Sequence, residues 1–251
     1  MSTSSSADWA AGWLEGRTVL VTGGTGGIGG ALAEAFRDAG AHVVATGATE
    51  REIAEADARE SAAGIAHRLL DVRSTEAVRG FVSAFEALDV VVNCAGIIRR
   101  GEELNAEVFE KVVDINLTGS MRVCEAAAPL LERSGGSIIN IASMLSFFGG
   151  GLVPGYASSK GGIAQLTKSL AIAYAPKGIR VNAIAPGWIA TPLTVALQND
   201  PSRAGPILSR TPLARWGRPE DLRGIALFLA GPHAGFITGS VIPVDGGYSI
   251  S

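Results

Sequence analysis

Cysteine and histidine are scarce, at two and three residues in 251. Cys94 and Cys124 follow no metal or redox spacing and sit in apolar surroundings, so buried free thiols are expected, as in a reducing compartment. His42, His67 and His233 are scattered along the chain and form no ligand cluster, so no metal site is expected. No apolar run approaches the length of a membrane span. The opening Met1-Ser-Thr-Ser-Ser-Ser-Ala-Asp lacks the basic and apolar regions of an export signal, which points to a cytoplasmic protein. Charge of either sign is also short: 21 basic against 24 acidic residues leave a formal net charge of −3. That balance argues against nucleic acid or an anionic membrane as a main partner.

Glycine is abundant, with 33 residues, but follows no period that would indicate a collagen-like or low-complexity chain. From Arg17 onward the chain alternates strand and helix signals. Short apolar runs mark strands at 17–22, 41–46, 65–70, 88–93, 137–142, 179–184 and 240–244. Helical patterns fall between them at 29–39, 50–62, 75–85, 105–132 (with a break near Gly119), 156–175 and 220–229. Repeated strand–helix units of this length predict an α/β, single-domain Rossmann fold. Its core is a doubly wound parallel sheet of about seven strands with helices on both faces. Residues 1–14 read as a flexible extension, tacked down by Trp9 and Trp13, before a domain over 15–251. Proline and glycine crowd 186–219, where only short helices are expected, and 191–218 reads as a substrate lid.

Between the first strand and first helix stands Thr22-Gly23-Gly24-Thr25-Gly26-Gly27-Ile28-Gly29. Glycines there let the backbone approach a pyrophosphate, and the helix N-terminus offers free N–H groups and a positive dipole end. Asp71, after the third strand, could accept a hydrogen bond from an adenine amino group. Asn93-Cys94-Ala95-Gly96 ends the fourth strand with residues small enough for a nucleoside to lie against. Near Gly47, at the end of the second strand, there is no acidic residue to bind the ribose of NAD. No arginine stands at Ala48 to bind a 2′-phosphate, and the nearest is Arg51. NAD and NADP both stay open.

Tyr156 and Lys160 are four residues apart, which on a helix stacks them one turn above the other. An ammonium beside a phenol favours phenolate and lowers the tyrosine pKa, readying it for proton transfer. Ser143, at the end of the preceding strand, could offer its hydroxyl to the same substrate oxygen. This is a site for moving a proton on and off an alcohol or carbonyl.

Taken in order, Thr22-Gly-x-x-x-Gly27-Ile-Gly29, Asn93-Cys-Ala-Gly96, Asn116, Ser143, Tyr156-x-x-x-Lys160 and Pro186-Gly187 closely resemble a short-chain dehydrogenase/reductase. The resemblance runs from about Arg17 to Tyr248. One departure is Cys94, where that family more often has asparagine. The resemblance implies a small-molecule alcohol or ketone substrate and NAD or NADP as cofactor. Tyr156 would be the acid/base, while Lys160 would tune it and hold the nicotinamide ribose. Ser143 would orient substrate, and Asn116 would support a water-linked proton path to Lys160. Dinucleotide contacts would come from Gly23, Thr25, Gly27, Ile28, Gly29, Thr46, Asp71, Val72, Asn93, Ala95, Gly96, Tyr156, Lys160, Pro186, Gly187, Ile189 and Thr191. Members of this kind form homotetramers through the helices at 105–132 and 156–175.

Ala95-Gly-Ile-Ile-Arg99-Arg100, the stretch from Ile138 to Phe147 and Pro212-Leu-Ala-Arg215-Trp216-Gly look most like the sugar-acid and polyol branch. Arg99, Arg100 and Arg215 are then candidates to bind a carboxylate. Met144, Leu145, Phe147, Phe148 and Leu152 would line an apolar wall, which keeps 3-ketoacyl-(acyl-carrier-protein) reduction as the alternative. A non-catalytic dinucleotide sensor is disfavoured, because the tyrosine and lysine are both present.

Overall fold

The computed structural model describes residue 10 and residues 12–251. Trp9 and the rest of the expected extension before Ala10 lie outside the described residues. Seven strands form one parallel sheet: β1 (Thr18–Thr22), β2 (His42–Gly47), β3 (Ala66–Leu69), β4 (Val90–Asn93), β5 (Ser137–Ile141), β6 (Arg180–Pro186) and β7 (Val241–Val244). Their spatial order is β3-β2-β1-β4-β5-β6-β7. The order reverses between β1 and β4, and the crevice at the carboxyl ends of these two strands is where such sheets bind dinucleotides.

Helices cover both faces: α1 (Gly27–Asp38), α2 (Glu50–Asp57), α3 (Thr75–Ser83), α4 (Ala106–Val113), α5 (Gly119–Ser134), α6 (Pro154–Tyr174), α7 (Val195–Gln198), α8 (Pro201–Arg210) and α9 (Arg223–Ala230). Strand residues alternate between the two layers. Val19 and Val21 join Phe36 of α1 and Leu227 of α9 in one buried cluster. Leu20, between them, joins Val78 of α3 and Val123 of α5 in another. A β-strand buried on both faces is predominantly apolar, which is why 19–21 in β1 and 90–92 in β4 are unbroken apolar runs.

One helical expectation needs correction. The helix expected over 50–62 ends as an α-helix at Asp57, and a separate 3-10 turn follows at Glu60–Ala62. The break lies at Arg59, whose ψ of 127° is extended backbone. The pattern over 105–132 is interrupted next to Gly119, where α4 runs into α5 through a π turn at Asp114–Thr118. Gly119 itself answers to packing, because a Cβ there would come within 2.7 Å of the Val72 side chain. Among the described residues no helix is long and apolar enough to cross a membrane. No group of three or more His, Cys, Asp or Glu among them could hold a metal ion.

Candidate active site

The glycine-rich turn is held against the end of β4 with no room for side chains. Gly23 has a φ of +64°, and a Cβ on it would lie 2.7 Å from Ala95 Cα. Below it the Thr22 hydroxyl accepts from the backbone N–H groups of Cys94 and Ala95, each at 3.3 Å. The Gly24 N–H donates to Thr46 O at 2.9 Å, which ties the turn to β2. Gly27 has a φ of +53°, and a Cβ there would stand 3.8 Å from the Thr191 methyl at the start of the lid. Bare backbone on one wall, the open N-terminus of α1 and a threonine across the gap make a cradle of the kind a pyrophosphate needs.

The other expected dinucleotide residues fall into three groups. Ala95 and Gly96 border the crevice, and a Cβ on Gly96 would meet Asn116 Oδ1 at 3.2 Å and Lys160 Nζ at 3.9 Å. Pro186 ends β6, and the Gly187 N–H donates to Val244 O at 3.0 Å. Others turn away from the crevice. Ile189 packs into the core cluster, and the Asn93 side-chain N–H donates to Asn140 Oδ1 at 2.9 Å across the sheet. Asp71 is fully engaged by Arg73, whose guanidinium donates to both its oxygens at 2.5–3.0 Å. Those hydrogen bonds hold its carboxyl below the usual range.

The chemistry gathers around α6. Ser143 lies at the end of β5, and its Oγ accepts from the Leu145 N–H at 3.1 Å. Its side chain is also near enough to the Tyr156 phenol to lower its pKa. Lys160 Nζ lies 5.6 Å from the centre of the Tyr156 ring and donates to Ile141 O at 2.6 Å. Ser146 closes the turn, donating to Lys160 O at 2.6 Å while accepting from the Ser143 N–H at 3.2 Å. The three side chains singled out by spacing therefore do come together.

Their electrostatics differ from the sequence expectation. Burial pushes the Tyr156 phenol up to about 12, against the lowering effect of the Ser143 side chain. Burial also pulls Lys160 down to about 8. The ammonium is itself desolvated and directed at a carbonyl, so it does not outweigh the cost of a buried phenolate. At neutral pH the tyrosine holds its proton.

Asn116 occupies the π turn, a feature that often marks functional sites. Its side-chain oxygen accepts from the Ile97 N–H at 2.8 Å, and its amide donates to Ile97 O at 3.0 Å and to the Ser159 hydroxyl at 3.1 Å. These bonds pin the loop that follows Gly96 to α6. Cys94 reaches the same neighbourhood, where burial raises its thiol to about 11.

Sequence reading passed over Glu103. Its side chain accepts from the Arg99 N–H at 2.7 Å and from the Tyr156 N–H at 2.7 Å, and the residue is only 1% exposed. It thus caps the N-terminal turn of α6 and locks the loop after β4 to the tyrosine. In sequence it is one of two adjacent glutamates before a helix, which reads as solvated charge. Glu103→Gln leaves one N–H facing an amide N–H₂. The expected result is a stability loss of about 1–3 kcal/mol, and a turnover loss of about 10- to 100-fold from misplaced catalytic groups. Coenzyme affinity should not move. Thermal melts, initial rates and a coenzyme titration check this, and unchanged rates would limit Glu103 to a structural cap.

The three candidate arginines also separate. Arg215 is paired with Asp221 at 2.6 Å and is not free to bind a carboxylate. Arg99 is exposed. Arg100 is half-buried, and its guanidinium is lowered from its ordinary value by burial and by the nearby Arg203 of α8. Its charge also reaches the Tyr156 phenol and lowers its pKa slightly, while Glu103 acts on Arg100 in the opposite sense to Arg203.

Comparison with known proteins agrees with this geometry. The family model for enoyl-(acyl carrier protein) reductase matches residues 23–249. The chain is 40% identical over 246 residues to 2-dehydro-3-deoxy-D-gluconate 5-dehydrogenase of Bacillus subtilis, covering 94% of this chain and 95% of that protein. It is 36% identical to the 3-oxoacyl-(acyl-carrier-protein) reductase of Thermotoga maritima over 248 residues, 94% of this chain and 99% of that one. Among solved structures, a gluconate 5-dehydrogenase from Burkholderia cenocepacia, in complex with NADP and tartrate, superimposes with a TM-score of 0.90. That pair is 34% identical over 97% of this chain and 99% of the other. The chain belongs to the short-chain dehydrogenase/reductase family.

Proposed function

We propose that the protein is an NAD(P)-dependent oxidoreductase that interconverts a secondary alcohol and a ketone on a sugar acid. The observation that carries the substrate class is Arg100. It is half-buried within electrostatic reach of the acid/base Tyr156 and of Arg203 in the lid, and its guanidinium makes no direct ion pair among the described residues, with Glu103 offsetting part of its charge. Two cations without a direct ion pair, only partly offset by Glu103 and Asp200, favour an anionic substrate. The sugar-acid names of several relatives point the same way.

The residues fit a nicotinamide dinucleotide, because the glycine cradle beside β1 would be filled by any Cβ at Gly23, Gly24 or Gly29. Gly23, Thr25, Gly27, Ile28 and Gly29 would hold the pyrophosphate, Ala95 and Gly96 the nucleoside, and Lys160 with Pro186, Gly187 and Thr191 the nicotinamide end. When bound, the dinucleotide supplies or takes up the hydride. Ser143 orients the reacting oxygen, and Tyr156 gives it a proton in reduction or receives one in oxidation. Lys160 stays next to the phenol as a local positive charge.

One observation favours a second reading. Phe147 and Leu152 beside the site are 50% and 52% exposed, as a wall for an acyl chain would be. The test is a matrix of NAD and NADP against gluconate derivatives, polyols and a ketoacyl thioester, followed at 340 nm. A sugar acid is the expected substrate. Arg100→Ala should raise its KM by about 10-fold or more, as expected for losing a charge-assisted bidentate pair, and leave a neutral polyol unaffected. Reduction of the thioester alone would replace this reading with the second. The homotetramer is proposed on the 78% exposure of Ile172 on α6. Light scattering of the same preparation should give four times the chain mass, and a monomer mass removes it.

A further inference from the structure

The ribose edge of the crevice lies at the end of β2. An acid at this place accepts the ribose hydroxyls of NAD and opposes a 2′-phosphate, whereas an arginine nearby admits one. Gly47 and Ala48 offer neither. The fold brings both charges in from α2 and the residues just beyond it.

Glu52, in the first turn of α2, folds back over the strand end. Its Oε2 accepts from the Ala48 N–H at 2.7 Å and from the Thr49 N–H at 3.1 Å. A Cβ built on Gly47 would lie 3.2 Å from that oxygen and 2.8 Å from Thr25 Cγ2 in the glycine-rich turn. The carboxylate thus stands close to where an acidic side chain at position 47 would put its own. Both hydrogen bonds go to Oε2, which leaves Oε1 as an acceptor.

Arg59 comes from the other end of α2. Because its backbone is extended, the helix stops and the side chain crosses to the glycine-rich turn. Its Nη2 donates to Thr25 O at 2.5 Å, and its Nη1 lies 3.9 Å from where a Gly26 Cβ would be. Among the described residues no carboxylate pairs with it. Arg51, the nearest arginine by sequence, sits on the outside of α2 against Glu55 at 3.7 Å.

We propose that Glu52 and Arg59 are the coenzyme-selecting pair of this protein: Glu52 accepts the adenosine ribose hydroxyls and opposes a 2′-phosphate, and Arg59 attracts one. The ratio of NADH to NADPH affinity is set by these two opposed charges, neither of which lies on the strand end itself. This rests on the crevice being a dinucleotide site, as proposed above.

The test is calorimetric titration of the full chain with NADH and with NADPH, which needs no substrate and no turnover. Glu52→Gln keeps an oxygen that can cap α2 and removes the charge. It should shift the ratio of the two Kd values at least tenfold toward NADPH. Arg59→Ala should shift it at least fivefold toward NADH, mainly by weakening NADPH, and the shift should shrink at high salt. Melting temperatures report whether either variant is merely unfolded, and Arg59→Lys should restore part of the NADPH affinity. A ratio that stays within twofold of wild type in Glu52→Gln would leave that residue as a helix cap and overturn its assignment. The same result in Arg59→Ala would overturn the other half. Wild-type protein that binds neither coenzyme would remove the dinucleotide reading, and this inference with it.

Discussion

Tyr156→Phe is expected to lower kcat by about 10²- to 10⁴-fold, the range that a positioned acid/base contributes. Its affinity for coenzyme should be close to that of wild type. The substitution removes one hydroxyl and keeps the ring over which Lys160 sits, 5.6 Å from its centre. Lys160 retains its bond to Ile141 O, and Ser143 retains its turn through Leu145 and Ser146. Only the proton source next to the substrate oxygen is lost. Initial rates at 340 nm, together with a coenzyme titration of the same sample, separate chemistry from binding. Turnover within a few-fold of wild type would mean that another group moves the proton. Ser143 is the neighbouring hydroxyl that acts on the Tyr156 phenol, so Ser143→Ala would then be the next variant to make.

Gly29→Ala should be the more damaging change for binding. In an ordinary helix interior, replacing glycine by alanine stabilises by about 1 kcal/mol. Here the added carbon would stand 2.2 Å from Gly23 O and 2.9 Å from Gly23 C, both backbone atoms of the phosphate turn. Neither can yield without opening the turn or lifting α1 from the sheet. The sign should therefore reverse, to a loss of about 1–3 kcal/mol for overpacking, accompanied by loss of coenzyme binding. Gly30 is the control. It is the next residue of the same helix, and its added carbon would meet nothing closer than Gly24 O at 3.6 Å. Gly30→Ala should melt at or above the wild-type temperature. If Gly29→Ala behaved in the same way, α1 would not be pressed against the turn as described.

The sheet was legible from sequence because strands buried on both faces are predominantly apolar. The runs at 90–92 and 138–139 read that way without reference to anything distant, and the buried Asn93 and Asn140 beside them are hydrogen-bonded to each other. Helix limits were less so. Just past the end of α2, Arg59 leaves the helical path and reaches over to Thr25, a contact between residues 34 apart that no local pattern announces. The π turn at Asp114–Thr118, next to Gly119, is marked by the bonds of Asn116 to Ile97 and Ser159.

In the active site, the Ser143, Tyr156 and Lys160 set could be found by order and spacing. The direction of the tyrosine's titration could not, because helical spacing reports that two groups are near one another and says nothing of how dry they are. Glu103 and Glu52 escaped for a related reason. Each looks like an ordinary charge next to a helix start, and only the folded chain shows one to be 1% exposed and the other to stand at a strand end. Arg215 was the opposite case, a plausible carboxylate ligand already taken by Asp221.

The reversal of strand order between β1 and β4 also bears on how the chain is made. β1 has β2 on one side within a few tens of residues, but its other side waits for β4. The first clasp between them, from the Thr18 N–H to Asp89, spans 71 residues. At about 5–20 residues per second, the ribosome needs roughly 4–14 seconds to supply that partner. During that interval Val19-Leu20-Val21 presents an unsatisfied, wholly apolar edge, the kind that pairs with other chains. The same gap that creates the coenzyme crevice in the finished protein is thus its most exposed seam during synthesis.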